Sequence, residues 1–238
     1  MLKVLVTGGT GMLGTALKKY LSKADYTNGR KDLDLSYPEI WDVMQFMNFY
    51  DVIIHTAAIT NLPLCEEYSP QAYHLHADTV KLLQKKCNKL IYISAQGRDY
   101  DNVYFKSKLE GEKRTLEREG DVVIRVNIYG EGGLVKWATN ELKEGNKIHG
   151  YDNVIFNPVH VDQLSEFISK HGLTTKGLVS ILSDETISKY EFLKLMADKR
   201  GLDRSLISPL SVDGNLDLTI NVGSDLKYYS LNEGINLL

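Results

Sequence analysis

Two short stretches of this chain carry residue types that could do chemistry. In Tyr104-Phe105-Lys106-Ser107-Lys108 a phenol and an amine stand four positions apart. On a helix, positions i and i+4 share one face, so both side chains can point into the same cleft. A phenol titrating near pH 10 is a poor acid–base group at neutrality, but a fixed cation beside it favours the phenolate and draws its pKa down. A fall of roughly three corresponds to about 4 kcal/mol, within reach of a close cation in a partly dry site. The second stretch is Thr7-Gly8-Gly9-Thr10-Gly11-Met12-Leu13-Gly14, which follows the apolar run Leu2 to Val6. A buried strand that breaks into Gly8-x-x-Gly11-x-x-Gly14 and then opens a helix (Leu13, Leu17, Leu21) makes a cradle for a dinucleotide pyrophosphate. Gly8 allows the tight turn, Gly11 lets the backbone approach phosphate, and Gly14 lets helix and strand pack closely. The free N–H groups and the dipole at the helix N-terminus favour the negative charge.

Each stretch has a bland alternative: an exposed Tyr and Lys on an ordinary amphipathic helix, and a turn that needs φ > 0. Their order in the chain favours chemistry, because the tyrosine follows the cradle and a strand that ends at Ser94. An oxidised nicotinamide would add its charge to that of Lys108, and Tyr104 could give a proton to a carbonyl oxygen while hydride arrives at carbon.

Such residues need a scaffold, and the hydrophobic pattern supplies one. Apolar runs predict strands at Leu2–Val6, Val52–His55, Leu90–Ser94, Val122–Val126 and Leu178–Ile181. Helical periodicity predicts helices at Met12–Lys23, Ile40–Phe49, Pro70–Lys86, Val103–Glu119, Leu134–Glu144, Val161–Lys170 and Ser188–Arg200. The polar Asp25-Tyr26-Thr27-Asn28 is the weakest strand candidate. Strands alternating with helices argue for an α/β fold, a Rossmann-like, doubly wound parallel sheet covered on both faces. Beyond about residue 128 the pattern loosens at Gly130, Gly132, Gly133, Gly145 and Gly150. The expected division of residues 1–238 is a dinucleotide-binding core of 1–129, to which 155–182 adds, and a small substrate lobe of 130–154 and 183–238.

Composition bounds the partners. The 238 residues are 43% hydrophobic with a formal charge of −3 and both signs dispersed, which points away from a nucleic-acid or polyanion binder. Cys65 and Cys87 have neither metal-ligand spacing nor a disulfide framework, which suits a reducing compartment. A first strand starting at residue 2 and the lack of a long apolar run lead us to expect a soluble cytoplasmic protein without a membrane span.

With these residues in view, the chain resembles the extended short-chain dehydrogenase/reductase superfamily, and most narrowly the dTDP-4-dehydrorhamnose reductases and their sugar-nucleotide-modifying relatives. The likeness runs in order through Thr7–Gly14, Gly29–Asp34, His55-Thr56-Ala57-Ala58-Ile59-Thr60-Asn61 with Cys65-Glu66, and Val103–Glu112. It continues through Arg125–Gly130, Asn157–Leu164 and Ser188–Phe192. The resemblance implies that Gly8, Thr10, Gly11, Met12, Leu13 and Gly14 hold the cofactor phosphates, that Asp34 and Leu35 sit beside the adenine, and that Ala57 and Ala58 line the path of the nicotinamide half. It makes Tyr104 the proton donor and gives Lys108 two tasks, holding the nicotinamide ribose and tuning the tyrosine. Arg30 and Lys31 follow the weak second strand, where a cation suits a ribose 2′-phosphate and an acid a free hydroxyl. NADP(H) is therefore expected, with NAD(H) as the alternative and a solvated Arg-Lys pair beside Asp32 as the bland reading.

Departures from the family pattern matter too. Relatives carry a Ser or Thr where this chain has Ala95 in Ser94-Ala95-Gln96. A one-residue shift in a strand reverses the face, so Ser94 takes over that hydroxyl's work only if the strand ends there and turns; Gln96 is the other candidate. Gln96-Gly97 replaces the acidic pair of sugar dehydratases, which argues against that activity, and the connection to Tyr104 is short. His76 stands where relatives usually have asparagine, and Pro63 interrupts the Thr-Asn segment. His55 and His160 read as backbone or supporting contacts rather than metal ligands, and no metal is expected. Trp41 and Trp137 read as packing residues, with substrate contact as the alternative for Trp137. Lys136, Lys143 and Lys147 read as a solvated helix face, with a substrate diphosphate as the alternative, and Arg98 lies on the short loop facing the cleft, with solvent as its bland reading.

The expected activity is an NADP-dependent reduction at C4 of a nucleotide-linked 4-keto-6-deoxy sugar. A nucleotide-sugar epimerase and a non-catalytic NADP-binding regulatory subunit are the alternatives. A nucleotide sugar is the expected ligand, and a homodimer is ordinary for this architecture.

Overall fold

The computed structural model describes residues 2–27, 34–39, 47–95, 101–214, 216–220 and 225–238. The fold is α/β and Rossmann-like, built on a seven-stranded sheet. In chain order its strands are β1 (Val4–Thr7), β2 (Asp25–Tyr26), β3 (Tyr50–His55), β4 (Cys87–Ser94) and β5 (Val122–Val126), followed later by β10 (Gly177–Ser183) and β14 (Asp225–Tyr229). The spatial order is β2-β1-β3-β4-β5-β10-β14, and the pairs among β1 to β5 run parallel. Val122–Val126 is buried at every position, as a strand covered on both faces must be. The polar Asp25-Tyr26 stretch does form a strand, but only two residues of it, beside β1.

The chain divides into two compact units, Met1–Arg125 with Ser165–Val179 and Val126–Leu164 with Ser180–Leu238. In the first, Leu5, Ile53, Leu83, Leu90, Tyr92 and Val123 form the centre of the core. Its helices are α1 (Met12–Tyr20), α2 (Leu62–Glu67), α3 (Ser69–Tyr73), α4 (Thr79–Gln84) and α5 (Val103–Leu116). The second unit holds β6 (Ile128–Tyr129), α6 (Gly133–Lys143), β7 (Ile148–Tyr151), β8 (Val154–Phe156) and β9 (Val159–His160). Helix α7 (Val161–His171) follows at the boundary, and β11 (Ile187–Ser188), α8 (Lys189–Lys199), β12 (Ile207–Leu210), β13 (Leu216–Asp217) and α9 (Leu231–Ile235) complete it. Phe192, buried completely, packs edge-on against Tyr129 and Phe156 at its centre.

Three expectations need correcting. The helix predicted over Pro70–Lys86 is interrupted: α3 runs into a π-helical turn at His74–Asp78 before α4 resumes. Such a turn bonds i to i+5 and realigns the carbonyls, which a 3.6-residue pattern does not reveal. Of the helix predicted over Ile40–Phe49, residues 47–49 are not helical and the remainder lies outside the described residues. Trp137 does not pack inside; it is 44% exposed on α6.

Candidate active site

The glycine stretch folds as its spacing requires. Gly8 has φ +71°, and a Cβ there would stand 2.8 Å from the Ala57 backbone, so only glycine lets β1 turn against the end of β3. The turn is fastened by Gly8 N–H to Thr27 Oγ1 (3.0 Å), Gly9 N–H to the Thr27 carbonyl (2.9 Å) and Gly11 N–H to the Gly8 carbonyl (2.9 Å). Gly11 is the N-cap of α1 and brings no side-chain cap, and no acidic residue stands in the first turn. The N–H groups of Met12, Leu13 and Gly14 thus keep the donors and positive dipole end that suit an anion.

A cleft of about 190 Å³ runs from this turn. Gly8, Thr10 and Gly11 line one end, Asp34, Leu35 and Ser36 with Thr27 another part, and Thr56, Ala57, Ala58, Ile59 and Leu75 the rest. The Leu13 side chain is buried in the core and Gly14 packs on Gly8, so these two, with Met12, contribute backbone rather than lining side chains. Asp34 folds back on its own turn, accepting from the Ser36 N–H at 3.0 Å and from the Ser36 hydroxyl. Arg30 and Lys31, on which the ribose 2′-phosphate expectation rests, lie outside the described residues, as do Gln96 and Arg98.

Tyr104 stands in the first turn of α5 because Asn102 caps it, its Oδ1 accepting from the Phe105 N–H at 3.0 Å. Its ring is edge-on to His76, with centroids 5.8 Å apart. Burial, with a smaller contribution from Cys65, pushes the phenol up to about 12, opposite to the expected depression. The reason is where Lys108 points. Its ammonium donates to the Ile93 carbonyl at 2.5 Å and lies 4.2 Å from the Tyr92 ring centroid, making no hydrogen bond with the phenol. Burial brings Lys108 down to about 7, with Glu112 opposing the fall. In this arrangement Tyr104 is a fully protonated phenol, the form that can give up a proton.

Strand β4 ends at Ser94, leaving half-buried Ala95 beyond it. Ser94 lies two positions after Tyr92 and so shares its face of the sheet, the face on which the Tyr92 hydroxyl donates to the His76 carbonyl at 2.8 Å. The Ser94 Oγ is buried and has no hydrogen-bond partner among the described residues, so a hydroxyl is available there although Ala95 offers none.

Supporting residues that sequence reasoning passed over hold the site together. Gly111 lets α5 close on the π-turn, since a Cβ there would be 2.0 Å from the His76 carbonyl oxygen. Ser107 bonds both His76 and the Tyr104 carbonyl. Its position three residues after Tyr104 was the available signal, because Ser on a helix bonds back to i−3. His55 is a buried supporting residue, between Thr7 and the Leu75 carbonyl. Lys136, Lys143 and Lys147 are exposed. Among the described residues no helix is long and apolar enough to cross a membrane, and no cluster of His, Cys, Asp or Glu could hold a metal ion.

Residues 2–217 match the family model described as the RmlD substrate binding domain. The chain belongs to that family. The chain is 24% identical to the spore coat polysaccharide biosynthesis protein SpsK of Bacillus subtilis, over 87% of this chain and 83% of that one. It is 27% identical to the methionine adenosyltransferase 2 subunit beta of Bos taurus, over 88% of this chain and 75% of that one. In structure it is similar to a dTDP-4-dehydrorhamnose reductase from Bacillus anthracis solved in complex with NADP, with a TM-score of 0.83, 24% identity and coverage of 99% of this chain and 98% of that one.

Proposed function

We propose that this RmlD-family chain is an NADP(H)-dependent reductase of a nucleotide-linked 4-keto-6-deoxy sugar. The observation that carries this reading is Tyr104 on the first turn of α5, edge-on to buried His76, in the same unit as a glycine turn whose helix N-terminus has no side-chain cap. The residues fit a dinucleotide: uncapped N–H groups beside Gly8 and Gly11 for the phosphates, Asp34 and Leu35 for the adenine end, and the small Ala57 and Ala58 along the nicotinamide path. When bound, the reduced nicotinamide supplies a hydride to the C4 carbonyl carbon. The chain's own residues do the rest. Tyr104 gives its proton to the carbonyl oxygen, so that C=O becomes CH–OH, and Ser94 Oγ hydrogen-bonds that oxygen. Lys108 would hold the nicotinamide ribose, and its positive charge would stabilise the phenolate left behind until solvent reprotonates it. Arg30 and Lys31 take the 2′-phosphate, the basis for preferring NADP(H) over NAD(H).

Ala95 favours a second reading, a nucleotide-binding subunit without turnover. The test is NADPH oxidation with a panel of keto-sugar nucleotides, in the wild type and in Tyr104→Phe. Stoichiometric oxidation that falls about 10²–10⁴-fold in the variant, with NADPH affinity kept, supports the reductase. Turnover without net oxidation indicates an epimerase. Binding of NADPH with no oxidation by any of the panel moves the reading to the regulatory subunit.

A further inference from the structure

The wall segment Ala57–Ile59 is held from two sides by buried imidazoles, and every proton in the two chains of hydrogen bonds can be assigned. A backbone N–H can only donate. The Ile59 N–H meets His76 Nε2 at 3.0 Å, so Nε2 is bare and Nδ1 carries the proton. His76 Nδ1–H donates to Ser107 Oγ at 2.8 Å, and the Ser107 hydroxyl donates to the Tyr104 carbonyl at 2.9 Å. At the other end, Ala57 N–H donates to Thr7 Oγ1 (3.4 Å), the Thr7 hydroxyl donates to His55 Nδ1 (2.8 Å), and His55 Nε2–H donates to the Leu75 carbonyl (3.2 Å). The two rings are opposite tautomers, each set by its partners. His76 joins the cleft wall to the helical turn that carries Tyr104.

We propose that His76, held as the neutral Nδ1–H tautomer, is a positioning residue that couples the Ala57–Ile59 wall to the first turn of α5 and so sets where the Tyr104 hydroxyl meets a substrate carbonyl. This deepens the proposed reduction and rests on it. The surroundings keep the ring neutral. Facing it are Tyr104, Ser107 and Lys108 from α5 and His55 from β3, while the Tyr92 hydroxyl of β4 bonds the His76 main-chain carbonyl. Cys65 of α2 bonds the Ile59 carbonyl, and His74 and Asp78 share the π-turn with it. Burial, then the Lys108 charge, then His55 push His76 well below its ordinary value. A second proton would set an N–H against the Ile59 N–H and undo the coupling.

The test compares His76→Asn with His76→Leu in the full chain. A carboxamide offers one acceptor and one donor and does not titrate. His76→Leu is expected to lower kcat about 10–100-fold with the Kd for NADPH within about threefold, because misplacing a reacting group by an ångström costs that much. His76→Asn is expected to restore kcat to within about threefold of wild type. If His76→Leu does not fold, Ser107→Ala breaks the next link, with an expected loss of about 3–30-fold in kcat. Unaltered kcat in His76→Leu, or an Asn variant no better than Leu, overturns the proposal. A readout independent of turnover is the ring's ¹⁵N NMR at pH 7, expected to show Nδ1 protonated and Nε2 bare; the reverse tautomer also overturns it. If the wild type reduces none of the panel, the reductase reading fails, while the tautomer still decides the coupling.

Discussion

The two units hold their centres by different means. In the first, a buried polar set lies beside the apolar core of Ile53, Leu83, Leu90 and Val123: Lys108, His55, His76 and the ion-paired Glu112 and Arg125 are all buried, and hydrogen bonds of defined direction run through the two imidazoles. In the second, the centre is apolar and aromatic, with Phe192 edge-on to Tyr129 (4.9 Å) and to Phe156 (5.4 Å) among Leu193, Met196 and Ile207. Aromatic edges and aliphatic groups contribute through area and close packing, whereas a buried amine carries a desolvation cost that its partners must offset.

Substitutions on each side sharpen that contrast. Phe192→Ala is expected to cost about 3–5 kcal/mol of stability, read by urea denaturation, while the folded variant binds NADPH with an affinity within about twofold of wild type. Lys108→Met is expected to do the opposite. The folded amine titrates at about 7 while the unfolded one titrates near 10.5, so the unfolded chain holds more protons between those values. Burying this lysine therefore costs little above pH 10.5, and the cost grows as the pH falls toward 7. At pH 7 the methionine variant is expected to gain about 1–4 kcal/mol and to lose NADPH oxidation; at pH 10.5 the gain should vanish. A less stable variant at pH 7 would mean that Lys108 is held by its partners more strongly than burial penalises it.

Much of the first unit was legible in the sequence. Continuous apolar runs gave β1, β3, β4 and β5, because strands covered on both faces have no polar side. The glycine spacing and the i, i+4 pair named the turn and the tyrosine helix. What escaped was decided by contacts distant in the chain. The π-turn forms where Tyr92, sixteen residues on, bonds the His76 carbonyl, and where Gly111 lets α5 close over it. The aim of Lys108 is a choice among rotamers of a long side chain, and i, i+4 spacing fixes only the face from which it starts. Ser94 was half legible: period-two alternation gave its face, but the end of β4 had to be seen.

The proposed reduction has Tyr104 delivering its proton beside a bound nicotinamide, and a crystal structure of the chain with NADP(H) would decide it. The Tyr104 oxygen is expected next to the nicotinamide ring along Ala57–Ala58, with the Lys108 ammonium moved from the Ile93 carbonyl to the ribose. A ring seated elsewhere, with the Tyr104 hydroxyl turned away from it, would rule this reduction out.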